Sequence, residues 1–324
     1  MNQKQLMFPI PAIECTVESS GSGMENQRAV VRGERMKRAA TVVVVLSAVL
    51  GLSTWSFAQG DKTTQNPPAG QAAGQAAAPQ GKRPPQAKTQ PEFDAYKAAV
   101  GLADAAATEK AADDFAAKFP DSELRVVLYR SAMQKYQQVN NADKMLDMAH
   151  KALTFDADEP EALVGVAQVL AERTRDTDLD KDQRLAEAKK DAERALVTID
   201  TDVPASGYPP EQLNAYKNFM RSEAYAILGT LAFNAKNYPE AETNLRKSID
   251  VFPQQPDAIA VFRLAVALDY ENKVPEAMKY IDQAVDLTKD HPDSGVGKAA
   301  RDEKDRLAKL SGGTAPGTTP PPKN

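Results

Sequence analysis

The sequence predicts an all-α body between about Pro91 and Leu310, and three observations predict it. Ala, Leu, Glu, Lys, Asp and Gln dominate that span, most of them strong helix formers. No alternating β-branched run interrupts it, so the period-two signal of a half-buried strand is missing. Apolar residues recur at helical spacing in blocks that repeat along the chain, which marks a stacked repeat. A body of this length is ample for a sizeable core.

The block from Ser222 to Gln254 carries the pattern most fully. Tyr225, Leu228, Gly229 and Ala232 fall on one helical face, and Tyr238-Pro239-Glu240-Ala241, Leu245, Ser248 and Pro253 follow. Small Gly229 and Ala241 let two helices approach closely, while Tyr225 and Leu245 fill the space around that contact. Pro239 suits a first helical turn, where its missing N–H costs no hydrogen bond. The template returns in Val261, Leu264, Ala265 and Leu268, then Val274-Pro275-Glu276-Ala277, Ile281 and Ala284, with 36 residues from Ala241 to Ala277.

Upstream, Tyr129, Ala132, Met133 and Tyr136 pair with Met145, Ala149, Ala152 and Leu153. Leu163, Val166, Ala167 and Leu170 pair with Leu185, Ala188, Ala192 and Ala195. Spacing is irregular, with an inserted loop near Thr174–Arg184 and a lengthened approach from Thr201 to Phe219. A stacked repeat tolerates both, because each unit touches only its neighbours. Phe93, Tyr96 and Val100 with Ala111, Phe115 and Phe119 form a degenerate first pair. Ser294 is placed to cap a polar terminal helix ending at Leu310.

An aromatic, a Leu-Gly pair, a small Ala in the second helix, an apolar residue four positions on and a closing Pro together resemble the tetratricopeptide-repeat (TPR) family. The string Phe115-Ala-Ala-Lys-Phe-Pro-Asp-Ser122 is similar to one in exported bacterial TPR proteins of envelope assembly. The resemblance covers about two thirds of the chain. It implies an all-α, TPR-type helical solenoid of four to five helix pairs plus a C-terminal capping helix, wound as a right-handed superhelix. It also implies a scaffold that binds a protein or peptide segment on a concave face lined by the first helix of each pair.

The residues expected on that face are Arg130, Gln134, Gln168, Thr230, Phe233, Asn234, Arg263 and Tyr270. Basic, amide and aromatic groups suit an extended peptide or a terminal carboxylate. The alternative is an ordinary solvated groove with no single hot spot. The Lys/Asn/Arg set of TPR proteins that clamp a chaperone's terminus is not reproduced here.

The flanks have a different character. Met36-Lys37-Arg38 precedes an uncharged run whose apolar block, from Thr41 to Leu52, ends in Ser56-Phe57-Ala58-Gln59. A basic start, a short apolar centre and small residues at the two inspected places are the parts of a secretory signal. The expectation is an exported chain, periplasmic or secreted, cleaved after Ala58. The alternative is an inner-membrane anchor with the body outside the cytoplasm, since the full uncharged run would just span.

The expected organisation is therefore an upstream extension over residues 1–35 and a signal over 36–58. A disordered Pro/Ala/Gln linker over 59–90, the solenoid over 91–310 and a disordered tail over 311–324 follow.

Composition limits the chemistry. The net charge is −5, and an acidic body makes nucleic acid an unsuitable partner. Cys15, the only cysteine, precedes the signal, so the mature chain has no disulfide, thiolate metal site or thiol nucleophile. His150 and His291 are the only histidines and stand in no triad or His-x-x-x-His spacing. Gly295-Val296-Gly297 reads as a turn, and Asp113-Asp114 as solvated carboxylates. The expectation is a non-enzyme with no cofactor, touching a membrane only through its N-terminal segment.

One acidic pattern carries a second reading. Asp176, Asp178, Asp180 and Glu187 occupy the first, third, fifth and twelfth places of an EF-hand-like loop, although Lys181 replaces the turn glycine. A solvated acidic insertion is the plainer reading, and no metal is expected. A self-associating adaptor, a calcium-responsive module and an enzyme's accessory subunit are the rival functions.

Overall fold

The computed structural model describes residues 82–204 and 209–310. The extension, the signal, the tail and the linker up to residue 81 lie outside the described residues. Among the described residues every element is a helix, eleven in all. They are α1 (Gln90–Val100), α2 (Ala105–Lys118), α3 (Leu124–Gln138), α4 (Ala142–Phe155), α5 (Pro160–Arg173), α6 (Lys181–Thr201), α7 (Pro210–Asn234), α8 (Tyr238–Val251), α9 (Ala258–Tyr270), α10 (Val274–Leu287) and α11 (Gly295–Leu310).

The helix starts follow from local chemistry. The Asp104 side chain accepts from Ala107 N at 2.7 Å, Asn141 from Lys144 N at 3.2 Å, and Glu159 from Ala162 N at 2.5 Å. Each satisfies an orphan donor of a first turn. Proline occupies the first turn of α1, α5, α7, α8 and α10, where its fixed φ already fits the helix.

The ends recur as well. Asn140, Lys236 and Asn272 hold φ of 57°, 61° and 60°. In each turn the next residue's N–H reaches back across the helix end: Asn141 to Tyr136 O at 2.9 Å, Asn237 to Ala232 O at 2.9 Å, Lys273 to Leu268 O at 2.8 Å. This is the Schellman closure, which tolerates Asn more readily than Lys. Three turns built alike, two of them 36 residues apart, are a structural repeat.

Each helix packs antiparallel on its chain neighbour, which is consistent with a helical repeat. The odd helices also contact the next odd helix (α1 with α3, then α3 with α5, and so to α11) and form one layer. The even helices form the other and are tied chiefly by side chains: Lys151 to Asp113 at 2.7 Å, His150 to Glu187 at 3.0 Å, Lys189 to Glu240 at 3.4 Å. Exposed pairs of this kind add little stability each, so the stack rests on apolar packing. One buried cluster runs from α1 into α7 and a second from α7 to α11. Helix α7 is their common wall, giving Ala224 and Ile227 to the first and Ala226 and Phe233 to the second.

Three expectations are corrected. The approach to the third unit is mostly helical, because Leu213, Tyr216, Phe219 and Met220 make an apolar stripe that closes on Ile199 and Val203. Gly295-Val296-Gly297 is the first turn of α11, with Ser294 Oγ accepting from Gly297 N at 3.2 Å. Asp113 and Asp114 are exposed as expected, although Asp113 also accepts from the Tyr129 hydroxyl at 2.7 Å. Residues 82–89, assigned to the linker by composition, lie against the body. Lys82 N donates to Thr201 O at 2.8 Å, and its ammonium meets Asp156 at 2.5 Å and Asp202 at 3.3 Å.

The close approach of paired helices has a measurable requirement. A Cβ on Gly229 would stand 2.6 Å from Leu245 Cγ and 3.1 Å from its backbone nitrogen, whereas one on Gly165 would meet Met133 Sδ at 2.9 Å. A thioether end moves aside and a backbone nitrogen does not. Gly229→Ala is expected to lower stability by about 1–3 kcal/mol. In Gly165→Ala the helix-propensity gain of about 1 kcal/mol offsets the crowding. Urea unfolding of both variants reads the difference, and equal midpoints would remove the close contact as the cause.

Candidate functional site

The sequence-expected groove residues fall into two groups on the odd-helix layer. In the first, the Arg130 guanidinium of α3 reaches the carboxylates that open α5, Glu159 at 3.0 Å and Glu161 at 3.5 Å. Gln134 donates to Glu161, and the Tyr216 hydroxyl of α7 donates to it at 2.8 Å. One arginine, one amide and one phenol thus hold two carboxylates, leaving a net charge of −1 in a half-buried network. Burial pushes the Glu159 carboxyl up, against the pull of Arg130. Burial and the facing Glu161 push the Tyr216 phenol well above its usual value. Burial would weaken the Arg130 charge, but the two carboxylates more than restore it.

The second group lies where α7, α8 and α9 meet. Thr230 donates to Ala226 O at 2.7 Å and accepts from Arg263 at 2.8 Å. Tyr238 stacks on Tyr270 at 4.3 Å and meets Phe233 edge-on at 5.8 Å, geometries that aromatic pairs prefer.

The expectation of a row of solvated groove residues is therefore corrected. Gln168, Thr230, Phe233 and Arg263 retain only 3%, 2%, 6% and 6% of their exposure and form part of the layer's interior. The Arg263–Thr230 bond joins the adjacent odd helices α9 and α7, and Phe233 packs on Tyr238 of α8. Arg130, Gln134 and Asn234 are half-buried, and Tyr270 is the one of the eight classed as exposed.

Between the layers at α3, α4, α5 and α7 lies a cavity of about 40 Å³. Its wall includes Met133, Met145, Gln168, Tyr216, Met220 and Glu223. Gln168 Nε2 is buried there with no hydrogen-bond partner among the described residues. Sequence reading missed this site because Tyr216 and Phe219 lay in the stretch taken as a lengthened approach. The i, i+3, i+6, i+7 spacing of Leu213, Tyr216, Phe219 and Met220 was the available signal.

The acidic insertion does not converge. Asp176 pairs with Lys181 at 2.9 Å, Asp178 accepts from Arg175 N at 2.8 Å, Asp180 faces Arg184 at 3.9 Å, and Glu187 faces His150. Among the described residues no group of three or more His, Cys, Asp or Glu stands within reach of one metal ion. His291 is exposed in the turn before α11.

No protein-family model matches the chain, and the comparison with curated proteins gives no match.

Acid should loosen the stack through its clasped carboxylates. Burial raises the Glu109 and Asp113 carboxyls, but Lys144 and Tyr136 on the first, and Lys151 and Tyr129 on the second, outweigh it and hold both below their ordinary values. Burial likewise raises Glu242, and Lys273 and Arg246 outweigh it. A depressed carboxyl stabilises the fold above its unfolded value and loses that contribution as pH falls through its folded one. The thermal midpoint is expected to fall from about pH 4.5 downward, and Asp113→Asn should flatten that limb. A midpoint insensitive to pH there would contradict the assignment.

Proposed function

We propose that this chain is a non-enzymatic interaction scaffold of the cell envelope, built as a TPR-type solenoid. It holds an extended partner segment against the odd-helix layer. The observation that carries the reading is the Schellman turn repeated at 36 residues, close to one TPR period. Two-layer packing, with the odd helices in mutual contact, supports the same assignment.

The ligand surface is what the layer still exposes. Tyr270, half-buried Asn234, and Arg130 and Gln134 at the edge of their network offer an aromatic face and amide groups. Such groups suit peptide backbone and aromatic contact. The acidic body is unsuited to phosphate backbones, and the chemistry needs no cofactor. Export rests on the Met36–Ala58 segment, through which alone the chain would touch a membrane. Self-association through the ends is the second reading, favoured by Phe93 and Val100 on α1, 42% and 39% exposed.

A photo-crosslinking residue placed at Tyr270 in cells is expected to give one discrete adduct. The same residue at Val197, 59% exposed on α6 of the even layer, should give none. An adduct at Val197 alone, or at neither site, overturns the reading. An adduct with the mass of a second copy of the chain favours self-association.

A further inference from the structure

We propose that the edge of the stack where even helices end and odd helices begin is an interaction surface for a basic, extended segment. The chain's own residues 82–88 lie on it as a strap, and a partner segment of the same chemistry displaces them. The inference goes beyond the odd-layer reading and does not rest on it.

The edge follows from the fold. Neighbouring helices run antiparallel, so α2, α4 and α6 all end along one side of the stack. Carboxylates collect there: Asp121 and Glu123 between α2 and α3, Asp156 and Asp158 between α4 and α5, and Asp200 and Asp202 at the end of α6. The helices answer two of them, with Arg194 meeting Asp158 at 2.6 Å and Arg221 meeting Asp200. Glu123, Asp156 and Asp202 are answered by the segment that precedes α1.

That segment shows what the edge recognises. Lys82 N donates to Thr201 O at 2.8 Å, and its ammonium reaches Asp156 at 2.5 Å and Asp202 at 3.3 Å. Arg83 meets Glu123 at 2.5 Å, and Lys88 Nζ donates to Asp121 O at 2.7 Å. The Arg83 guanidinium holds the Glu123 carboxyl below its usual range, so the pair is one of full charges. A short stretch thus crosses three successive connections, from the third pair back to the first. In each of these contacts the segment donates and the edge accepts, so the fitting ligand is cationic and rich in N–H groups. Pro84 and Pro85, with φ fixed and no N–H to satisfy, keep the segment extended between its two ends.

The strap is weakly held. The Lys82 and Arg83 side chains keep 41% and 62% of their exposure, and ion pairs this open are individually weak and screened by salt. Its tether to α1 does most of the holding, through an effective concentration on the order of millimolar. A partner segment with the same charges competes at that concentration, and one with further contacts competes below it.

The test uses the full chain, ¹⁵N-labelled, with an unlabelled peptide copying residues 82–89 as the probe. In the parent chain, peptide at the order of millimolar is expected to move the amide signals of residues 121–123, 156–158 and 200–202. The signals of residues 82–88 should shift at the same time towards those of the free peptide. A Lys82→Ser, Arg83→Ser, Lys88→Ser chain should respond at about tenfold lower peptide concentration, since nothing competes for the edge. Adding Glu123→Gln, Asp156→Asn and Asp202→Asn to that chain should remove the response, as should a probe with serine at its three basic positions. Strap signals that stay in place while the peptide binds would overturn the proposal. So would equal responses of the parent and the serine chain, binding of the serine probe, or no response in either chain. The parent titration needs no substitution, so a variant that fails to fold leaves the result decisive.

Discussion

The stack depends on small residues at the crossing of paired helices. Two helices approach to the distance their side chains allow, and Gly229 against Leu245 leaves no room for even a methyl group. Elsewhere alanine does the same work: Ala112, Ala132, Ala149, Ala152, Ala192, Ala241 and Ala277 are all fully buried. Around them Leu245, Leu264, Leu268 and Ile281 fill what remains. Close crossing brings each pair near enough to the next for the odd helices to touch, and the shared wall at α7 follows from that contact.

Polar groups then divide by layer. On the even helices, lysine, arginine and carboxylate pairs are partly exposed and bridge neighbours across the surface. On the odd helices two arginines are more enclosed and matched, Arg130 with two carboxylates and Arg263 with Thr230. Enclosed charges without partners are costly, so matching is the condition of burying them there. Gln168 Nε2 is a buried amide donor in that layer with no hydrogen-bond partner among the described residues.

The helical pairs were legible in the sequence because their signals are local. Prolines at helix starts, the Leu-Gly and Glu-Ala spacings and the apolar period depend on residues a few positions apart, and each predicted pair is present. The burial of the groove residues was not legible. Side chains such as Gln168 and Arg263 look surface-like in sequence, and only the contact between odd helices encloses them. At the insertion the plainer reading of solvated carboxylates agrees with the fold: Asp176 and Asp180 are exposed, and Lys181 and His150 face two of the carboxylates. Glycine misled at Gly295, which opens α11 because Ser294 caps the turn.

If each pair leans only on its neighbours, damage at one crossing stays local, as in other quasi-one-dimensional stacks. Native-state hydrogen exchange on the Gly229→Ala chain measures this directly, amide by amide. The account predicts lost protection in α7, α8 and the adjoining α9, with α1 to α4 protected as in the parent chain. A uniform loss from α1 to α11 would contradict it, because the body would then open as one cooperative unit.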